Sequence, residues 1–205
     1  MSIPMISPIT AKTIKELSPN AGMLLYNFDF SSATDAQSLM ALIKSAEVQA
    51  ASWLGATKGG ITIEEGRETW SAEVDGKRMP FVGELYLDTA QPKISTTLVQ
   101  HNANSIKVAS GAADVEGADT ATVQHITPRA SFTEEDHLDN VVWVTNWGKT
   151  GLILVELRNA LCTSGLRFSS KDKDIMEAQV EFMAFADDVE ATDELPISYH
   201  LYHSK

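Results

Sequence analysis

Apolar and polar positions alternate in runs of strand length along most of this chain, and clusters of Gly, Pro, Asn and Asp divide one run from the next. That rhythm predicts a mainly β protein, a β-sandwich or barrel-like fold with one or two short helices and extended loops or hairpins. Met23 to Phe30 reads as a strand after a Pro19-Asn20 turn. Ile61 to Glu65 alternates cleanly, and Thr69 to Val74 runs into Asp75-Gly76 before Lys77 to Val82. Asp-Gly between two strand-like runs predicts a type I′ hairpin, and Pro80 in the return arm predicts an edge or a bulge. Pro92 opens a strand over Lys93 to Val99.

Two segments carry a helical period instead. Thr34 with Gln37 has the form of a capping box ahead of Leu39, Met40, Leu42, Ile43 and Ala46, which predicts a helix within residues 35–46. Asn102 to Ser110, closed by Gly111, reads as a second short capped helix. Ala112 to Ala121 is acidic and small, a surface loop, and Val123 to Ile126 a short strand. The strongest pattern is Asn140 to Asn146, a connection through Trp147-Gly148-Lys149-Thr150, and Leu152 to Leu157. Two continuous apolar runs predict a hairpin buried on both faces, with Val142, Val144, Ile153 and Val155 in the core. Glu177 to Phe185 and Ile197 to Tyr202 are strands separated by the acidic run from Asp187 to Glu194. Within the first, Glu177, Gln179 and Glu181 share one face and Ala178, Val180 and Phe182 the other.

Composition narrows the function classes. The 205 residues include 28 acidic and 16 basic side chains, a formal charge of -12, with 43% hydrophobic residues, which is globular rather than disordered. Such a surface repels phosphate backbones and argues against ordinary nucleic-acid binding. A single cysteine, Cys162, excludes an intramolecular disulfide and a Cys-x-x-Cys zinc site. No run of ~18 apolar residues and no secretory-type N-terminus is present, so a soluble protein made in a reducing cytoplasm is expected, with no membrane partner. One domain over 1–205 is expected, with 1–20 as an N-terminal arm.

Catalytic motifs are missing. Lys58-Gly59-Gly60 has no phosphate-loop frame and reads as a flexible loop; Gly148-Lys149-Thr150 lacks the upstream glycine, whose place Trp143 holds. Neither Ser110 nor Ser164 sits in a Gly-x-Ser-x-Gly elbow. Cys162 beside Leu161 reads as a small buried hydrophobe. His200 and His203 fall on opposite faces of a strand and do not share a metal. Glu134-Glu135-Asp136 and Asp172/Asp174 read as solvated charge, and Asp172-Lys173-Asp174 lacks the glycine and distal Glu of a calcium loop. No catalytic residue, cofactor or metal is expected.

Three stretches carry a family resemblance: Leu54-Gly-Ala-Thr-Lys-Gly-Gly-Ile-Thr-Ile-Glu-Glu-Gly with the hairpin Glu73-Val-Asp-Gly-Lys-Arg-Met-Pro-Phe-Val-Gly; Thr127-Pro-Arg followed by Asp136-His-Leu-Asp-Asn-Val-Val-Trp-Val; and Leu157-Arg-Asn-Ala-Leu-Cys-Thr-Ser-Gly-Leu-Arg-Phe-Ser-Ser-Lys-Asp-Lys-Asp. In order and spacing, from about Leu54 to Phe185, the chain resembles the major tail tube proteins of long-tailed bacteriophages, particularly those of Gram-positive hosts. The resemblance implies a non-enzymatic virion protein, made in the host bacterial cytoplasm and resident in the virion tail. It implies hexameric rings stacked into a tube, inner strands joined across protomers, a tape measure protein and a tail terminator as partners, and phage DNA passing through the lumen without specific binding. The loop Leu54, Gly55, Lys58, Gly59, Gly60 and the turn Asp75, Gly76 become candidate assembly elements, and the polar strand face with Glu177 and Glu181 a candidate lumen lining. Two alternatives stand beside it. One is the inner tube of a contractile injection or secretion device. The other is a carbohydrate-binding or hydrolytic β-sandwich, which would need an exposed aromatic platform from Trp53, Trp70, Trp143 or Trp147.

Overall fold

The central hairpin organises the molecule. In the computed structural model, residues 22–45, 48, 51–79, 81–117, 122–148, 150–187 and 194–204 are described. The expected N-terminal arm, the Pro19-Asn20 turn, Ala46, Pro80, Lys149 and most of the acidic run after Asp187 lie outside them. In chain order the elements are β1 (Met23–Tyr26), α1 (Ala36–Ile43), β2 (Thr57–Glu64), β3 (Arg67–Ser71), β4 (Leu85–Ala90), β5 (Lys93–Leu98), α2 (Ala103–Ser110), β6 (Ala113–Glu116), β7 (His125–Pro128), β8 (Leu138–Trp147), β9 (Gly151–Cys162), β10 (Arg167–Ser169), β11 (Glu177–Met183) and β12 (Ile197–Tyr202). The protein is mainly β with antiparallel sheets, as its alternation predicts.

Two layers face each other. The first is β1-β8-β9-β12 and the second β10-β11-β5-β2. The long strand β9 joins them: past Asn159, whose backbone adopts φ +47, its last residues Leu161 and Cys162 pair with β11. Asn tolerates that left-handed conformation better than a branched residue would. Leu24, Val141, Val155 and Leu157 of the first layer pack against Ile94, Leu98, Val180 and Phe182 of the second. The alternate residues Leu25, Val142, Val144 and Leu154 point the other way, against Phe28 and the Leu39 and Ile43 side of α1. The first layer is therefore covered on both faces, which is why β8 and β9 read as continuous apolar runs. Val142, Val144 and Val155 are buried as expected, whereas Ile153 is only partly covered.

The helix ends show how local chemistry sets boundaries. The α1 cap is Asp35, not Thr34: its carboxylate accepts the Ser38 N–H at 2.8 Å, and the Ser38 hydroxyl accepts the Asp35 N–H at 3.0 Å. A short Ser closes this box where Gln37 was expected to, and the described helix ends at Ile43. α2 is capped by Asn102, which accepts the Ser105 N–H at 2.7 Å, and stops at Gly111. There φ is +77 and a Cβ would lie 2.4 Å from the Cys162 carbonyl oxygen, so only glycine fits. Part of the expected 112–121 loop is instead strand β6, which pairs with β7, and the strand expected over Val123 to Ile126 starts at His125.

Candidate assembly surfaces

The described residues offer two contrasting surfaces, an apolar arm and a polar sheet face. The arm is the β3–β4 ribbon, a separate two-stranded sheet with its own tip. Trp70 and Tyr86 pair across the strands and stack with centroids 5.1 Å apart, while Leu85 and Leu87 occupy the opposite face. All four are about half exposed or more; at the tip Val74 is as exposed as Leu85, and Met79, Phe81 and Val82 are more exposed still, Val82 completely. Isolated exposed apolar side chains are ordinary, but eight on one ribbon form a patch of the kind that marks an interaction site.

The tip differs from the expected type I′ hairpin. A turn at Val74–Lys77 closes with a Lys77 N–H to Val74 carbonyl bond of 3.0 Å, but only Gly76 has positive φ, at +83. A type I′ turn requires it at both central residues. The chain then runs to a second turn at Phe81–Glu84 before β4 begins, so Lys77 to Val82 is tip and not return strand. Lys77 fastens this tip by bonding the Ala72 carbonyl at 2.8 Å and the Glu84 carboxylate. The Lys77 bond, and after it the Phe81 N–H, lower the Glu84 pKa below its ordinary value.

The second surface is the outer face of the β10-β11-β5-β2 layer. Glu177, Gln179 and Glu181 stand on it, as their alternation predicts, with Ser95, Thr97 and Lys93 of β5 and Lys58, Thr62 and Glu64 of β2 alongside. The acids do not stand alone. Lys58 pairs with Glu177 and, at 3.5 Å, with Asp174; Lys93 lies 3.4 Å from Glu181 and 3.6 Å from Glu64. The hydrogen bond to Glu177, then the charges of Asp174 and Glu177, raise the Lys58 pKa. The face is thus a mosaic of paired charges, not the uniformly acidic wall that net charge implies. Exposed pairs of this kind contribute about 0–1 kcal/mol each to stability.

The candidate loop at 54–60 is also revised. Leu54 is wholly buried in the core, and Thr57–Glu64 is a strand on β5, so Lys58-Gly59-Gly60 is not a free loop. Gly59 and Gly60 form a bulge with φ of +83 and +87, anchored by the Thr96 hydroxyl donating to the Gly60 carbonyl at 2.9 Å. Strand period masked by two glycines is hard to see in sequence.

No described cluster assembles catalytic chemistry. The Ser110 hydroxyl donates to the Ile106 carbonyl at 2.8 Å, and the Ser164 hydroxyl accepts the Glu181 N–H at 3.0 Å. Burial pushes the Cys162 thiol above its ordinary pKa. Asp136 caps Thr133 and pairs with Arg129, so this carboxylate is structural. Sequence reading missed one cluster: Ser198, two residues from His200, donates to Glu156 at 2.9 Å, and His200 Nε2 lies 3.0 Å from the Ser198 oxygen and 3.7 Å from Glu156. One ring nitrogen faces both partners, whereas a Ser-His-acid relay uses two. His200 also contacts Phe30 and His203 contacts Trp147, so the two histidines serve different neighbours. Among the described residues no group of three or more His, Cys, Asp or Glu is placed to hold a metal ion. Of the tryptophans, Trp70 alone is strongly exposed; Trp53 bridges to Leu25, and Trp143 packs partly buried against the core.

No protein-family model matches the chain, and no curated protein matches it. No helix among the described residues is long and apolar enough to cross a membrane.

Proposed function

We propose that this protein is the subunit of a bacteriophage tail tube, a structural virion protein that forms hexameric rings stacked around a channel for DNA. The observation that carries the reading is the β3–β4 arm. A ribbon with Trp70 and Tyr86 on one face and Leu85 and Leu87 on the other is left about half exposed by the described residues around it. At roughly 25 cal/mol per Å² of apolar surface, covering it supplies a substantial driving force for association. A neighbouring subunit is the cover that a repeating assembly always provides.

The outer face of the β10-β11-β5-β2 layer suits the channel wall. Its serines, threonines and paired charges present DNA with little net attraction, whereas a basic wall would hold the phosphates through counterion release. The tape measure protein and tail terminator would then be the partners inside the tube and at its end.

Negative-stain electron microscopy of purified protein tests the reading. Rings or tubes of uniform diameter are expected; monodisperse monomers at every salt and protein concentration would refute it. The stacked, exposed Trp70–Tyr86 pair is also the sort of surface on which a sugar ring stacks, and favours the carbohydrate-binding alternative. Glycan-array binding lost in Trp70→Ala, in a protein that forms no tubes, would establish that function instead.

A further inference from the structure

Apart from the two-stranded ribbons, the two facing layers have four outer edges among the described residues, and three of them are blocked. The outer side of β1 is occupied by residues 52–54, through the Tyr26 N–H to the Ser52 carbonyl at 2.8 Å and the Leu54 N–H to the Leu24 carbonyl at 3.2 Å. β2 is interrupted by its Gly59-Gly60 bulge, and β10 is only three residues long. Folded proteins close edges in these ways because an open one pairs with other chains. β12 has none of these protections: it is a regular six-residue strand paired with β9 along its whole length, and no described strand lies on its other side.

The register shows what that edge offers. The Arg158 N–H bonds the Pro196 carbonyl at 2.9 Å, one position beyond the Leu157–Ile197 pair that begins the β9–β12 register, and so continues that register. Antiparallel pairs alternate between hydrogen-bonded and non-bonded, so Ser198, His200 and Tyr202 turn their backbone groups toward β9. Ile197, Tyr199 and Leu201 turn theirs outward. The side chains of those same three residues lie on the inner face, where Ile197 joins the core while Tyr199 and Leu201 are half exposed. A groove of about 760 Å³ runs beside them, where Leu87, Leu195 and Ile197 are interleaved with the charged Glu65, Arg67 and Arg158, and the Tyr199 hydroxyl donates to Glu65 at 3.1 Å. A strand added here would gain the outward backbone groups of Ile197, Tyr199 and Leu201 as ladder partners, and every second side chain would lie beside the exposed Tyr199 and Leu201.

The chain contains a segment built to this pattern. Residues 3–9 read Ile-Pro-Met-Ile-Ser-Pro-Ile, with no charged side chain. Both prolines have even numbers. In an extended strand the N–H groups of odd and even residues point to opposite sides, so Ile3, Met5, Ser7 and Ile9 can all face β12 while Pro4 and Pro8 face outward, where no donor is needed. Added antiparallel, residues facing β12 have their side chains on the same sheet face as Tyr199 and Leu201. Ile3, Met5 and Ile9 of the odd set would therefore land on the face of Tyr199 and Leu201, with Ser7 among them, and the prolines would close the new edge.

We propose that residues 3–9 of one copy add as a strand to β12 of a neighbouring copy. This deepens the tube reading by naming a contact between subunits of a ring. Residue 22 enters β1 on the opposite edge of the sheet from β12, and both faces between are occupied, one by the second layer and one by α1. A segment reaching its own β12 must travel around those layers. Residues 10–21 can span up to roughly 40 Å when extended, enough to reach a neighbouring copy beside β1. Donor and acceptor at opposite edges make a head-to-tail contact, the kind that closes into rings.

Cysteine cross-linking of the full chain tests this, since Cys162 is buried and does not compete. Met5→Cys with Leu201→Cys, mildly oxidised, should give a ladder of covalent multimers on a non-reducing gel, at least tenfold stronger than Ile6→Cys with Leu201→Cys. Adding Ile6→Pro to the first pair should keep the ladder, and adding Ser7→Pro should abolish it. An intrachain product alone, equal linking from positions 5 and 6, or equal effects of the two prolines would overturn the proposal. Micrographs of the same samples separate it from the tube reading. Tubes without a ladder refute the added strand only; a ladder without tubes keeps the strand and removes the tube.

Discussion

Two hairpins of this protein are both apolar on both faces, and their fates are opposite. β8–β9 lies between a second sheet and a helix, and Val141, Val142, Leu154 and Leu157 are wholly buried. β3–β4 has Trp70 and Tyr86 on one side, Leu85 and Leu87 on the other, and both sides are about half exposed. The difference lies in the other described residues, which supply two layers for the first hairpin and only partial cover for the second. Burial within the subunit goes into folding; apolar surface left outside remains available for association.

Substitutions can break that contrast from either side. The largest effect is expected from Val144→Asp, which places a carboxylate between β8 and α1. The cost of several kcal/mol is comparable to the whole stability of a domain, so circular dichroism should find no cooperative thermal transition. Leu39→Ala removes part of the α1 cover without adding charge. It should cost about 2–5 kcal/mol in urea unfolding, and a loss under ~0.5 kcal/mol would mean that the helix does not seal this face.

A smaller effect is expected at the brace beneath β6–β7. Arg129 pairs with Asp114 at 3.2 Å and with Asp136, whose side chain is nearly covered. Burial works against the Asp136 charge, but the Thr133 N–H and hydroxyl and the Arg129 guanidinium outweigh it and hold the pKa below 3.8. A lowered folded pKa means that this stabilisation is present above the ordinary carboxylate pKa and is lost as pH falls through the lowered value. Asp136→Asn should cost about 1–3 kcal/mol at pH 7 and the difference from wild type should shrink below about pH 3.8. An equal difference at pH 3 and pH 7 would assign the loss to shape instead of charge. The smallest stability effect belongs to the arm: Val82→Asp should change the unfolding free energy by less than ~0.5 kcal/mol yet prevent tube formation. Unimpaired tubes would remove the tip from the interface.

Much of the fold is legible in the residues. The double-sided run at β8–β9, the alternation of β11 and the Asn102 to Gly111 helix follow from period, caps and glycine, which are local. Errors fell where a second partner decides. Thr34 and Asp35 are both good caps, and the choice depends on which carboxylate or hydroxyl meets Ser38. Gly59-Gly60 reads as a loop until β5 supplies the ladder on either side of the bulge. Ile153 belongs to a core run by pattern but lies where the second layer gives only partial cover. For the candidate site, the common face of Glu177 and Glu181 was readable, while their pairing with Lys58 and Lys93 was not, because those residues are more than eighty positions away.

The sequence by itself determined the mainly β class, the hairpin at the centre, the two short helices and the absence of familiar catalytic motifs. Each of these rests on interactions within a few residues, where spacing and side-chain type suffice. Only the tertiary structure decided that β9 crosses from one layer to the other, that α1 covers the outer face, that the acidic strand is charge-paired, and that the β3–β4 ribbon and the β12 edge are left open. Those are properties of which distant segments meet, and the free energy of burial and pairing across a sheet depends on that meeting, not on any one segment.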